Sequence, residues 1–156
     1  MKVIGENDYC LIVDNLNKMK KIILLLTISL CFACCSAQLT EKVEVRYPNG
    51  QPELILMLNK SGECVKKIEY YDSGQVKMEG GMKNGQREGE WTAYFPDGRV
   101  QSHGFYKNGV RTGAATVYRS NGNLLSEGFY KEGKHSGHWK WYDEQGNLIR
   151  EENYPE

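Results

Sequence analysis

The residues able to do bond-making or metal chemistry are few, and their spacing argues against a catalytic role. The chain has three histidines. His103 shares a 24-residue column with Glu79, Glu127 and Glu151, the pattern of a solvated strand position. His135 and His138 are spaced like half of a metal site, but no second Cys/His pair follows to complete four ligands. Cys10, Cys31, Cys34 and Cys35 all precede residue 38, which leaves Cys64 alone in the body. No disulfide framework supports the fold, and no metal is expected. Ser36, Ser61 and Ser136 lack the G-x-S-x-G setting of an exposed nucleophile. Gly80-Gly81 and Gly85 precede no helical pattern, so no phosphate-cradling loop is expected. Glu151 and Glu152 are adjacent and would point to opposite faces of a strand, unsuited to a shared acid–base task. These absences imply a protein without catalytic residues and without a cofactor.

Charge excludes a second class. Lys+Arg and Asp+Glu are both 20 in 156 residues, and from Gln38 onward 16 basic residues face 17 acidic ones. Nucleic-acid binding draws its affinity from cations on phosphates, so a near-neutral body with interspersed signs is not expected to bind nucleic acid.

The first part of the chain has an export pattern. Met19-Lys20-Lys21 is followed by the uncharged run Ile22 to Ala33, a basic segment and then twelve residues. A spanning helix needs about 20 apolar residues, so the run fits a cleaved signal better than a permanent anchor. Residues 1–18 are expected to be an extension produced by start-site choice, with residues 19–37 the signal. Two processing routes stay open. Cleavage after Ala37 would make Gln38 the mature N-terminus; lipidation of Cys34 after the small Ala33 would tether the protein to a membrane surface through its acyl chains. Either route places the mature protein outside the cytoplasm, in a bacterial periplasm or cell envelope.

What remains must position no active site, and its organisation is a repeat. Gly50, Gly74, Gly98, Gly122 and Gly146 are spaced by 24 residues. The same period holds for Gly80, Gly104 and Gly128, for Gly85, Gly109 and Gly133, and for Gly89, Gly113 and Gly137. Tyr70, Tyr94, Tyr118 and Tyr142 follow it, as do Tyr106, Tyr130 and Tyr154. Trp91 and Trp139 share a column that holds Ala115 in between. Several columns with one period identify a tandem array. Within each unit, sequences such as Pro96-Asp97-Gly98 and Lys107-Asn108-Gly109 are turn signals. Between turns Trp91, Ala93 and Phe95 are expected to point one way and Thr92 and Tyr94 the other. The expected fold is all-β: about 4.5 hairpin repeats over residues 38–156, forming an elongated single-layer antiparallel sheet.

The glycines at 80, 104 and 128 fall inside a strand, where glycine weakens pairing. Their repetition predicts a large ring lying over bare backbone at each. Stacking of this kind explains the aromatic columns; an aromatic surface of Tyr94, Tyr118, Tyr142, Trp91, Trp139 and Trp141 that holds a glycan or a lipid head group is the functional alternative. The first repeat departs from the rest, with Leu54, Ile55, Leu56, Met57 and Leu58 in succession. Such a run predicts either a strand covered on both faces or an exposed patch for a partner or a second copy. Covering by residues 38–46 folded back on it is the competing outcome.

The stretches at 80–100, 103–124 and 127–148, the last reading EGFYKEGKHSGHWKWYDEQGNL, resemble MORN repeats (membrane occupation and recognition nexus). The likeness is to the bacterial variant of YwqK-type antitoxin-like repeat proteins and spans roughly residues 42–154. It implies successive hairpins in one sheet, no catalysis by the repeats, and a role in binding another protein or a membrane surface; with the export pattern the expected function is a protein-interaction scaffold of the cell envelope, and an antitoxin or immunity protein that neutralises a partner enzyme is the alternative. Two departures stand out: Ala114-Ala115 replaces a polar-Trp pair, and the first repeat lacks its internal glycines.

Overall fold

The computed structural model describes residues 39–156; the expectations for residues 1–18, for the 19–37 signal, and for Cys34, Ala37 and Gln38 lie outside them. Ten strands follow in chain order: β1 (Thr40–Arg46), β2 (Pro52–Leu58), β3 (Cys64–Tyr70), β4 (Val76–Lys83), β5 (Gln86–Tyr94), β6 (Val100–Lys107), β7 (Val110–Tyr118), β8 (Leu124–Lys131), β9 (Lys134–Tyr142) and β10 (Leu148–Tyr154). They form one open antiparallel sheet in the order of the chain, β1 to β10, and no described residue is helical. Every strand therefore pairs only with its sequence neighbours. The 24-residue period is two strands and two turns.

The two turns use different backbone chemistry. In the longer one, Phe95 N–H donates to the Arg99 carbonyl at 2.8 Å and Gly98 N–H to the Phe95 carbonyl at 2.9 Å. Gly98 has φ +85°, and the other four glycines of that column lie between +85° and +91°. This is a turn closed by a residue in the left-handed region, which glycine enters without steric cost. Phe95 thus opens the turn and is not part of the strand's alternation, contrary to the sequence expectation. Asp97 Oδ1 accepts from Arg99 N–H at 3.0 Å, and the Oδ1 atoms of Asn49 and Asn121 accept the same bond in their repeats. The shorter turn has two residues, both with positive φ: Asn84 (50°) and Gly85, Asn108 (49°) and Gly109, Glu132 (51°) and Gly133. Asparagine tolerates that region and glutamate does so poorly. Glu132→Asn is therefore expected to raise stability by about 0.5–1 kcal/mol, read as a rise of a few degrees in the melting temperature; an unchanged or lower value would contradict the strain assigned to Glu132.

A single layer has little interior. The buried apolar side chains are Ile55, Trp91, Ala115 and Trp139, at 5, 4, 6 and 3% exposure. Ile55 belongs to the first repeat, and its place corrects the expectation of an exposed apolar patch. Strand β1 pairs along β2, with Val43 opposite Ile55 and Glu41 opposite Met57. Ile68 of β3 lies opposite Ile55 on the other side. Leu54, Leu56, Met57 and Leu58 are half-buried. Residues from Thr40 on thus cover the run, and the edge shown to solvent is β1, whose sequence TEKVEVR puts a charge at four of seven positions. Charged edges resist pairing with another sheet.

Candidate functional site

The register assigns the aromatic columns to two different faces. Directly paired residues share a face. Gly80, Trp91 and Gly104 are paired in series, as are Met78, Ala93 and Ser102. The same face continues through Ala115, Ser126, Trp139 and Trp141. Tyr94, Tyr118 and Tyr142 lie on the opposite face. The six aromatic residues proposed from sequence therefore do not form one surface. Trp91 and Trp139 are also buried, lying flat over their glycines.

On the opposite face two of the repeats have a tyrosine–glutamate clamp. The Tyr94 hydroxyl donates to Glu79 Oε1 at 3.0 Å and the Tyr142 hydroxyl to Glu127 Oε1 at 2.7 Å. Lys66 Nζ lies 2.6 Å from Glu79 Oε2, His138 Nε2 lies 3.2 Å from Glu151, and His103 Nε2 lies 2.7 Å from Glu90. His103 is thus a structural partner for Glu90, in the column where its neighbours are acids. Lys66 holds the Glu79 carboxyl below the usual range. Desolvation and the Glu79 carboxylate raise the Tyr94 phenol, and the hydrogen bond to Glu127 raises that of Tyr142. A depressed carboxyl adds stability above its unfolded value of about 4.3, lost as pH falls through the folded value; a raised phenol adds stability below about 10, lost as pH rises through its own. The melting temperature is expected to hold between about pH 5 and 9 and to fall at both ends, with Glu79→Gln flattening the acid limb. An unaltered acid limb in that variant would contradict the assignment.

The first face carries rings and cations in alternation. Each β5-type strand has a bulge at its internal glycine: Gly89, Gly113 and Gly137 have φ of 73°, 67° and 63°. A bulge bends the strand and re-aims side chains. Residue 87 is thereby brought against residue 91. The Arg87 guanidinium lies 4.1 Å from the Trp91 ring centroid and 5.2 Å from that of Tyr106. Arg111 lies 5.6 Å from Tyr106 and 5.2 Å from Tyr130, and its Nε donates to the Tyr106 hydroxyl at 2.9 Å. His135 stacks on Trp139 at 3.9 Å and meets Tyr130 and Tyr154 edge-on at 5.1 and 5.0 Å. Trp141 stacks on Trp139 at 5.8 Å, with the Arg150 guanidinium 4.6 Å away. Cations over ring faces are attracted by the ring quadrupole. Neither Arg87 nor Arg111 has a carboxylate within 4.0 Å among the described residues.

In the middle of this row the ring is missing. The Trp91 indole N–H donates to the Gly81 carbonyl, and that of Trp139 to the Phe129 carbonyl, both at 2.9 Å. In each case the ring covers a glycine, Gly80 or Gly128, so closely that a Cβ there would lie within 2.6 Å of three indole carbons. The third member of the series is Gly104, opposite Ala115. A Cβ on Gly104 would meet only Ala115 Cβ and the Ala114 carbonyl, both at 3.8 Å. The expectation of a ring over all three glycines therefore fails at Gly104. In its place is a cleft of about 60 Å³ over Gly104 and Ala115, bordered by Trp91, Tyr106, Arg111 and Tyr130. The Phe105 carbonyl, counterpart of Gly81 and Phe129, receives no indole N–H.

Sequence columns pointed to Ala115 and to the Tyr106–Tyr130–Tyr154 series, but the cations were missed. Their signal was present: Arg87 and Arg111, like the imidazole of His135, precede the tryptophan column by four residues. No group of three His, Cys, Asp or Glu among the described residues is arranged to hold a metal ion.

Fold and surface together define a tandem hairpin-repeat protein in which one face of the sheet bears stacked rings. The family model for the MORN repeat variant matches residues 65–84, 87–108, 111–132 and 136–154, more than half of the chain, and the protein belongs to that family. A comparison with curated protein sequences found no match to the chain.

Proposed function

We propose that this MORN repeat protein is a non-catalytic binding module of the cell envelope that engages another protein through the ring-and-cation face of its sheet. The observation that carries the proposal is the row from Arg87 to Tyr154, in which guanidinium and imidazole groups lie between aromatic rings with no carboxylate neutralising Arg87 or Arg111. Aromatic residues and arginine are the types that dominate binding energy at protein interfaces. Nearest-neighbour strand pairing leaves the whole face continuous, as repeat arrays do for extended partners. The basic and apolar segments from Met19 to Ala33 support export, and with it the envelope.

The test is capture of envelope proteins by the full chain and by two variants. Arg87→Ser/Arg111→Ser removes the cations from the ring face. Phe129→Ser changes the opposite face, where Phe129 is 55% exposed. The double variant is expected to lose the partner and Phe129→Ser to retain it, both with wild-type far-UV spectra. Retention by the double variant, or loss only by Phe129→Ser, would contradict the assignment of the face. Recovery of the protein from its host's cytoplasm with the leader intact would contradict export.

A further inference from the structure

The protein contains its own description of what fits the central cleft. At Trp91 and Trp139 four parts of the site recur: a glycine under the ring, a backbone carbonyl accepting the indole N–H, a planar nitrogen-bearing side chain from four residues upstream over the ring (the Arg87 guanidinium or the His135 imidazole), and a tyrosine edge beside it. The middle repeat keeps every part except the ring. Gly104 is the floor, Phe105 provides the carbonyl, Arg111 stands in the cation column, and Tyr106 and Tyr130 flank the gap on its two sides. Trp91 has Tyr106 edge-on at 6.2 Å and Trp139 has Tyr130 at 5.1 Å, so the two tyrosines bordering the gap are the same rings that wall the filled sites.

We propose that the cleft over Gly104 and Ala115 receives the side chain of a tryptophan presented by the partner protein, flanked in that partner by acidic residues. The inference rests on the reading of this face as the binding surface and specifies its central contact. An indole is the ring whose N–H reaches the carbonyl position, as the neighbouring repeats demonstrate. The acidic flank follows from Arg87 and Arg111, whose guanidinium groups lie on either side of Tyr106 without carboxylate partners among the described residues. A tryptophan donated in trans would complete the row of rings from β5 to β9, and the guanidinium of Arg111 would stack on it as Arg87 stacks on Trp91.

The probe is the acetylated, amidated tripeptide Asp-Trp-Glu, titrated into the isotope-labelled full chain and followed by backbone amide shifts. Saturable shifts are expected at Gly104, Phe105 and Ala115. Replacing the probe's tryptophan by phenylalanine removes the N–H donor and should weaken binding by roughly tenfold, the worth of one hydrogen bond. Two variants block the site differently: Ala115→Trp fills it with the chain's own indole, and Gly104→Val places methyl groups on its floor. Both should stay folded and lose the shifts. Binding unchanged in both variants, no saturable shift for wild type, or free indole binding as tightly as the tripeptide would each overturn the proposal. If the tripeptide fails while Arg87→Ser/Arg111→Ser still loses its envelope partner, the tryptophan assignment falls and the ring face remains the binding surface.

Discussion

Gly128→Val should lower the melting temperature by on the order of 10–20 °C, and Gly80→Val by a similar amount, whereas Gly104→Val should change it by no more than a few degrees. The three glycines occupy one column and carry the same residue, so only their partners distinguish them. A Cβ on Gly128 or Gly80 collides with ring carbons of Trp139 or Trp91 that are 3 and 4% exposed. The ring must leave, which forfeits its burial and its hydrogen bond to the Phe129 or Gly81 carbonyl. Losing a buried tryptophan costs about 3–5 kcal/mol. At Gly104 the nearest atoms stand at ordinary contact distance, and valine favours a strand. Thermal melts of the three variants decide the matter; equal losses at all three would show that the glycines are required for backbone reasons and not for the rings.

Ile55→Lys is the second large effect expected. Its side chain is 5% exposed, between Val43 of β1 and Ile68 of β3. An unpaired ammonium there either stays buried at a cost of several kcal/mol or forces the strands apart. Because each strand touches only its neighbours, the damage should stay local. Amide exchange should accelerate throughout β1 and β2 while the amides of β7 and β8 keep their protection. Met57→Lys, at a half-buried site, should be mild. Self-association, if any, should be unaffected by either change. Loss of association with undiminished stability would restore the idea of an exposed apolar patch.

The fold was largely legible because the turns are written in glycine. A residue with φ near +85° is almost forced to be glycine, so the turn column recurs wherever the backbone does, and two strands per period follow. The first hairpin was harder to read. Its strand β1 has no glycine column of its own, and the run Leu54–Leu58 reads as unpartnered until Val43 is seen opposite Ile55. The face of rings and guanidinium groups was illegible for a different reason. Simple alternation fails at Gly89, Gly113 and Gly137, where the bulge resets which side chains meet, so Arg87 against Trp91 is a consequence of backbone geometry that period-two counting does not contain. Ala115 was visible as an exception. Its meaning required the pairing of Gly104 with Ala115, which shows that the missing ring leaves a space and that no neighbour moves in to fill it.

The gap left by Ala115 is the centre of the proposed binding surface and not a defect in packing. The direct measurement is envelope-partner capture by the Ala115→Trp protein, with its melting temperature determined on the same preparation. The variant is expected to be at least as stable as wild type, its row of rings now continuous, and no longer to capture the partner. Undiminished capture by that stable variant would contradict this role of the gap.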